Sequence, residues 1–433
     1  MIKKGISAFS LACLWGMLFS CQSSKTTDAQ EITLHNRSSI ALSDKAIAIK
    51  RSEFPNIPEG QAYPLLLTQN GDTIASQLDD LDGDNQWDQL FLVTNLPANG
   101  EQVLQLSWVE TSPKYTVRTN IRFGKRSAKD IPLQPATSDT IYANQMEKAT
   151  GFQPYQTDGP TWENDKVGFR HYLDGRNSKD LFGKKTAAMS PDSVGISKTG
   201  AVEDNYHVMH DWGRDIMAVG SSVGIGGIAL KIGENYPRLG IVAGDTVNNV
   251  ESTSFQILAR GPVHSRMEIR YNNWKPANTD RSYTIVENPA ITPGMYAYQN
   301  TVKVTDGLQG DETLLIGMNN LDETFPLEEI QVGDNWVVLF THDNETYNRE
   351  WLLPLALIVP KSAYQGYTAS PKTGPVSQAW FAKMKVQANE PITYYAVGAW
   401  ELSDEQFKNL DYFRKYVQDL TQQIDAEVHV QVK

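Results

Sequence analysis

The densest group of chemically active side chains lies in the segment YHVMHDWGRD, which begins at residue 206. It contributes five candidate site residues: Tyr206, His207, His210, Trp212 and Arg214. Such side chains are costly to bury without partners, and together they supply a general base, a general acid and an anion-binding group. The alternative is a solvated loop with structural hydrogen bonds. We expect the histidines, Tyr206 and Arg214 to be catalytic, and Trp212 to bind substrate.

A second group lies between residues 161 and 185. If residues 170–172 form a strand, Arg170 and Tyr172 share one face and His171 lies on the other. Arg176 and several lysines add positive charge nearby, which favours an anionic substrate because guanidinium binds carboxylate or sulfate in a bidentate way. The alternative is a set of structural Arg–Asp pairs. We expect Tyr172 to be catalytic and Arg170, His171, Arg176 and Trp162 to bind substrate.

Three further features could contribute to a site. His264 follows a turn and is a weaker candidate for substrate binding. His207 and His210 have a spacing that suits zinc, but no third ligand is indicated. The segment DLDGDNQWD places Asp80, Asp82, Asp84 and Asp88 in a pattern suited to a structural calcium ion, and its alternative is a tight acidic hairpin.

The elements that must position these residues are mainly strands. Residues 31–110 contain short apolar runs separated by Pro-, Gly- and Asn-rich turns, which predicts a small N-terminal β-sandwich. Residues 111–433 continue as strands without alternating helices, which predicts one large catalytic β domain and argues against a Rossmann or barrel fold. Near the end, Ser403 and Gln406 form a candidate capping box before apolar residues at helical spacing. Alternating valines at 428–432 predict a closing strand.

Composition and the N-terminus restrict the function further. The chain has 433 residues and a net charge of −12, which argues against nucleic-acid binding. Residues 1–21 resemble a lipoprotein signal peptide ending at Cys21, and residues 22–30 form a polar tether. If Cys13 is cleaved away, no disulfide or thiol chemistry remains. We expect a protein of the periplasm or cell surface, held at the outer membrane by a lipid on Cys21.

Three strings in this chain resemble a family of secreted proteins of unknown function from polysaccharide-degrading marine and gut bacteria. They are DDLDGDNQWDQLFLV at 79–93, TWENDKVGFRHYLDGRNSKDLFGK at 161–184 and NYHVMHDWGRDIMAVGSSVGIGG at 205–227. The resemblance extends from about residue 31 to the end. It implies a β-supersandwich like that of galactose mutarotase, and a role in degrading uronate-containing polysaccharides. It also implies similarity to an ulvan oligosaccharide dehydratase, which removes water from a terminal uronic acid to leave a 4,5-unsaturated sugar.

The residues suit that chemistry. A base must remove the C5 proton, an acid must protonate the departing C4 oxygen, and a cation must neutralise the carboxylate. We assign the base to His207 or His210, the acid to Tyr206 or Tyr172, and the cation to Arg170, Arg176 or Arg214. Trp162 and Trp212 are expected to stack on sugars, and no cofactor is required. The alternatives are a uronate polysaccharide lyase and a non-catalytic surface glycan-binding lipoprotein; a glycoside hydrolase is disfavoured because no carboxylate pair stands out.

Overall fold

The computed structural model describes residues 30–241, 245–321 and 324–433. The predicted signal peptide, Cys13, the lipid-anchor site at Cys21 and residues 22–29 of the predicted tether lie outside these ranges. Within them, no helix is both long and apolar enough to cross a bilayer.

The first unit is a small sandwich of two antiparallel sheets. Its strands are β1 (Gln30–Asn36), β2 (Leu42–Lys50), β3 (Tyr63–Thr68), β4 (Thr73–Ile74), β5 (Ser76–Asp79), β6 (Gln89–Leu96) and β7 (Glu101–Val109). Strands β1, β7, β3 and β4 form one sheet, and β2, β6 and β5 form the other. Because side chains alternate along a strand, residues such as Ile32, Leu66 and Leu92 fill the space between the sheets and are fully buried.

The second unit contains nearly all the remaining strands. In chain order they are β8 (Thr119–Arg122), β9 (Gly124–Lys125), β10 (Gln134–Pro135), β11 (Ser138–Tyr142), β12 (Thr161–Asn164), β13 (Val167–His171), β14 (Lys179–Lys184), β15 (Gly213–Asp215), β16 (Gly227–Ile232), β17 (Val250–Arg260), β18 (Ser265–Trp274), β19 (Tyr283–Ile291), β20 (Ala297–Asp306), β21 (Glu312–Asn319), β22 (Glu328–Val332), β23 (Trp336–Thr341), β24 (Leu355–Pro360), β25 (Tyr364–Ala369), β26 (Ala379–Lys385) and β27 (Ile392–Gly398). Helix α1 (Glu147–Thr150) is a single turn.

These strands form a large two-layer supersandwich. One layer is a nine-stranded sheet in the order β11-β17-β18-β19-β20-β27-β24-β23-β22. The facing layer consists of a five-stranded sheet, β15-β14-β13-β12-β8, and a four-stranded sheet, β16-β21-β26-β25. Aromatic packing joins the layers: the Tyr298 ring on β20 lies 5.1 Å from Trp162 on β12 and 4.6 Å from Phe169 on β13. The predicted mainly β class, with a small sandwich, a large supersandwich and a terminal helix, is confirmed.

The C-terminus connects the two units. Helix α2 (Leu410–Asp425) buries Phe413, Val417 and Leu420, as the apolar spacing predicted. Its first turn is capped by the Asn409 side chain and not by the predicted Ser403–Gln406 box, because the Ser403 hydroxyl donates instead to the Lys184 carbonyl. The last strand, β28 (Val428–Val432), pairs with β1. The final residues of the range 111–433 therefore complete a sheet of the small sandwich.

Candidate active site

The candidate site is built on the face of the five-stranded sheet that is turned away from the nine-stranded sheet. Strands β13 and β14 pair Arg170 with Asp180 and His171 with Lys179. Since side chains alternate along both strands, Arg170 and Asp180 share the outward face, whereas His171 and Lys179 point into the core. Arg170 and His171 thus lie on opposite faces of the sheet, as the alternation predicted.

Arg170 is the centre of a buried charged cluster. Its Nη2 atom donates to the Asp180 carboxylate, to Asp215 Oδ2 at 2.6 Å and to the Tyr172 hydroxyl at 2.7 Å. Asp158 Oδ2 lies 3.6 Å from Nη1. Arg170 is 1% exposed, and Asp180 and Asp215 are fully buried. Burial, reinforced by Asp180, raises the pKa of Asp215 well above its ordinary value, although Arg170 acts in the opposite direction.

Tyr172 lies close to two guanidinium groups. The Arg170 and Arg176 Cζ atoms are 4.4 and 3.6 Å from its ring centroid, within the range of cation–π interactions. Arg176 is held by Asp174 at 2.7 Å and Asp158 at 3.1 Å. Its side chain is 41% exposed, so this cation of the cluster reaches solvent.

The segment that begins at Tyr206 covers the cluster. The Tyr206 ring lies 5.1 Å from the Arg170 guanidinium, and its hydroxyl donates to Asp204 at 3.0 Å. His207 Nδ1 is 3.6 Å from Asp215 Oδ2, while 44% of the His207 side chain is exposed. Burial, aided by the positive charge of Arg170, lowers the pKa of His207. The imidazole is therefore neutral near pH 7 and can accept a proton.

Tyr347 completes the site, and the sequence analysis missed it. Its ring lies 5.9 Å from that of His207, edge to face. Burial, together with the charge of Asp215, raises the Tyr347 pKa, so its hydroxyl stays protonated and can serve as an acid. Tyr347 follows His207 by 140 positions in a polar segment without a motif, and it reaches the site because its backbone amide donates to the Ile216 carbonyl. Only this long-range contact could have identified it.

Some of the non-glycine residues with positive φ lie beside this cluster, and others are spread over the described chain. Asn348 and Arg349, directly after Tyr347, both have φ of 55°. Thr157 and Asp158, beside the two guanidinium groups, have φ of 51° and 60°. Left-handed conformations at residues other than glycine cost roughly 1–3 kcal/mol each and occur preferentially at functional sites.

Several predicted site residues are placed where they cannot touch a sugar. Trp162 is 1% exposed and packs between the layers, so it offers no stacking face. His171 is fully buried, with Nε2 3.4 Å from the Tyr271 hydroxyl. Arg170 is 1% exposed and is already engaged by Asp180 and Asp215 through Nη2, so the predicted carboxylate clamp cannot be this residue. These three predictions were wrong because sheet pairing directs the side chains into the core or towards internal partners.

The two tyrosines assigned as acids are also enclosed. Tyr172 and Tyr206 are 4% and 1% exposed. Their hydroxyls donate to Asp180 and Asp204 respectively, at 2.6 and 3.0 Å. Both hydroxyls are thus engaged by aspartates, and a catalytic role for either tyrosine stays a prediction.

The other residues of the covering segment have local roles. His210 Nε2 is 2.8 Å from the Asn205 carbonyl, and the ring stacks with Trp212 at 6.2 Å. Trp212 is half-buried against Phe182. Arg214 donates from Nε to the Asp215 carbonyl and lies over the Trp351 ring at 5.1 Å. The structure therefore brings His207, and not His210, to the charged cluster.

His264 lies at a different place, where the two units meet. Its Nδ1 is 2.7 Å from Asp79 Oδ2, and its ring stacks on Phe91 at 4.1 Å. Both partners belong to the small sandwich. His264 therefore lies apart from the charged cluster around Arg170, and its predicted role in substrate binding stays a prediction.

The acidic segment forms a tight loop. Within the described ranges, carboxylate oxygens of Asp80, Asp82 and Asp88 come within 4.8 Å of one another, and Asp84 is not part of this group. The carboxylates accept backbone hydrogen bonds, for example Asp80 from Gly83 and Asn85. Oxygen ligands of this kind suit calcium, while the same bonds suit the acidic hairpin. The calcium site stays a prediction.

Comparisons with known proteins identify proteins that are similar to this chain. An uncharacterized protein of Formosa agariphila, P7, is 23% identical over 435 residues, which is 96% of each chain. Two solved structures from Enterococcus faecalis match 94% of this chain at 10% identity: a protein in glycosyl hydrolase family 38, with a TM-score of 0.49, and an α-mannosidase, with a TM-score of 0.50. The chain spans about half the length of these two proteins, 47% and 46%. The α-mannosidase likeness shows the fold alone.

The family comparison covers nearly all of the described chain. Residues 34–430 match the family model "Domain of unknown function (DUF4861)". This range includes the small sandwich, the supersandwich, the charged cluster and helix α2. The chain therefore belongs to the DUF4861 family.

Proposed function

We propose that this chain is a carbon–oxygen lyase that removes water from the non-reducing-end uronic acid of anionic, ulvan-like oligosaccharides. The observation that carries the proposal is the pair formed by His207 and Tyr347. One group is neutral and basic, the other is protonated, and their rings lie 5.9 Å apart beside a buried charged cluster. Elimination next to a carboxylate needs a base and an acid of this kind.

The groups divide the reaction as follows. His207 removes the C5 proton, and the electron pair of that C–H bond forms the C4–C5 double bond. The C4–O bond breaks, and the departing oxygen takes the Tyr347 proton and leaves as water. The negative charges of Asp204, Asp180 and Asp158, which raise the His207 pKa, stabilise the imidazolium that forms. Arg176, the partly exposed guanidinium, binds the uronate carboxylate and makes the C5 proton more acidic.

A uronate polysaccharide lyase is the second candidate, because it uses the same groups and expels a sugar from C4 in place of water. The open surface beside His207 favours it: Val208 and Met209 are 60% and 37% exposed, so an extended chain has room. The mass of the product distinguishes the two reactions, since a lyase shortens the chain and a dehydratase does not.

Glycoside hydrolysis is less compatible with the cluster. That chemistry needs two carboxyl groups on either side of the scissile bond, roughly 5–9.5 Å apart. Asp180 and Asp215 are fully buried, and both bind the same Arg170 nitrogen. No sugar ring fits between them.

Two variants test the assignment of base and acid. His207→Gln and Tyr347→Phe should each lower the rate of enoate formation from uronate-capped oligosaccharides by about 10²–10⁴-fold, the usual contribution of general acid–base catalysis. His210→Gln is the matched control, because it removes an exposed imidazole from the same segment and should retain most of the activity. Full activity in His207→Gln would refute the assignment.

The partner that this activity requires is an anionic oligosaccharide that contains uronate. A lipid on Cys21, as the sequence predicts, would hold the enzyme at the outer membrane, where such oligosaccharides arrive. Binding without any chemical change of the glycan would instead support the non-catalytic glycan-binding lipoprotein.

A further inference from the structure

A separate cavity of about 500 Å³ lies between the small sandwich, the nine-stranded sheet and helix α2. We name it the interunit cavity. Its floor is a row of residues on four neighbouring strands, β18, β19, β20 and β27, which the register pairs directly: Arg266, Ala290, Gln299 and Tyr395. It shares none of its lining with the charged cluster around Arg170.

Small side chains on both walls create the space. Ala290 lies in the floor, and Ala46 and Ala48 face it from β2 of the small sandwich. Because Ile47 and Ile49 point into the sandwich core, the alternation places the methyl groups of Ala46 and Ala48 on the cavity side of β2.

Arg266 is a cation without a partner in this cavity. Its side chain makes no hydrogen bond or ion pair with any described residue, and its Nε atom is buried and unsatisfied. The two carboxylates that act on it electrostatically are engaged elsewhere: Asp79 with His264 at 2.7 Å, and Glu268 with Arg270 at 3.8 Å. Removing a guanidinium partly from water without an ion-pair partner costs folding free energy, and a bound anion would offset that cost.

The other charged residues of the lining are satisfied. Asp44 accepts two hydrogen bonds from Arg118, and Asp419 pairs with Lys415 at 2.5 Å. Lys45 donates to the Gln423 carbonyl at 2.7 Å, near the end of α2. The lining therefore contains positive charge that nothing in the described chain neutralises, and an oxyanion fits it.

We propose that the interunit cavity binds a sugar acid, with its carboxylate on Arg266. A planar guanidinium binds a carboxylate through two parallel hydrogen bonds. The Gln299 side-chain oxygen already accepts from the Tyr395 hydroxyl at 3.1 Å, so its amide nitrogen is left to donate to a sugar hydroxyl. The Tyr395 and Tyr416 rings line the same cavity and supply apolar surface for the sugar ring.

Calorimetric titration of the full mature chain tests this site without requiring turnover. The probes are sodium glucuronate, glucose as the neutral analogue, and sodium sulfate as an oxyanion without a sugar. We expect glucuronate to bind, glucose not to bind, and sulfate to bind more weakly than glucuronate. Because Arg176 could hold glucuronate at the candidate active site, the titration is repeated in an Arg176→Met background.

Two variants and one control locate the binding. Arg266→Met keeps the side-chain volume and removes the charge, and it should weaken glucuronate binding at least about tenfold, as expected for a lost charged hydrogen bond. Gln299→Glu should weaken it similarly by placing a carboxylate in the floor. Lys303→Met is the matched control, since Lys303 lies on β20 with Gln299, carries a positive charge and does not line the cavity.

Three results would overturn the proposal. They are no glucuronate binding at millimolar concentration, equal binding in the wild type and in both floor variants, or glucose binding as tight as that of glucuronate. Sulfate binding in the absence of glucuronate binding would overturn the assignment to a sugar. Loss of binding in Arg266→Met with a wild-type melting temperature would support it. Since no reaction is measured, failure here is distinguishable from failure of the proposed lyase activity.

Discussion

Replacing Arg170 with methionine should strongly destabilise the protein. Arg170 is the cation shared by Asp180 and Asp215, and all three side chains are buried. The variant keeps an unbranched apolar side chain but leaves two aspartates without their cation. Removing one partner of a buried ion pair costs about 3–5 kcal/mol of unfolding free energy. That is a large part of the roughly 5–15 kcal/mol that typically stabilises a folded protein.

The loss should depend on pH, with a definite sign. The pKa of Asp215 is already raised by burial and by Asp180, and the variant removes the opposing effect of Arg170. The native Arg170→Met protein then binds more protons than the unfolded protein does. Its free energy of unfolding therefore falls as pH rises, by at most about 1.4 kcal/mol per pH unit for each proton. The penalty should therefore be largest at neutral pH and should shrink as the pH falls towards the unfolded-state value.

Urea unfolding at pH 7 and pH 5, followed by tryptophan fluorescence, measures both effects. Arg176→Met is the control: Arg176 pairs with two aspartates in the same cluster, but its side chain is 41% exposed, so we expect a loss of about 1 kcal/mol or less. An Arg170→Met protein as stable as the control, or a penalty that does not change with pH, would refute the reasoning.

Three further predictions follow from the same contacts. Because the pKa of His207 is lowered from 6.5, kcat/KM should stay constant down to about pH 6.5 and fall only at lower pH, where the imidazole becomes protonated. A fall in kcat/KM that begins above pH 7 would exclude His207 as the base. Lys179→Met should cost about 3–5 kcal/mol in urea unfolding because it leaves Glu287 buried and unpaired, and adding Glu287→Gln should recover part of that loss. Calcium should raise the melting temperature of the wild type and EDTA should lower it, whereas neither should affect Asp80→Asn/Asp88→Asn; an unresponsive wild type would favour the acidic hairpin.

Local patterns predicted much of this molecule. Apolar alternation and turn residues indicated the strands, and helical spacing indicated α2. Alternation also placed Arg170 and His171 on opposite faces of β13. These features depend on the repeat of side-chain direction, which is 2 residues in a strand and 3.6 residues in a helix. They can therefore be predicted from residues that are close in sequence.

Other features depend on contacts that no local pattern encodes. Alternation does not say which face is buried, so Trp162 could not be placed in the core rather than on the surface. Tyr347 and the Asp79–His264 contact arise when distant strands meet. Arg170 was predicted to bind substrate but is enclosed by aspartates from three different segments of the chain, which no local pattern could have indicated.

The most direct test of the central claim is the mass of the product formed by the wild-type protein. Saturated, uronate-capped oligosaccharides are incubated with residues 22–433, and ultraviolet absorbance is followed together with mass spectrometry. The account predicts rising enoate absorbance, loss of one water from each oligosaccharide and no shorter chains. Shorter chains with the same absorbance would identify a polysaccharide lyase. Unchanged oligosaccharides across a range of uronate caps would contradict a lyase of either kind.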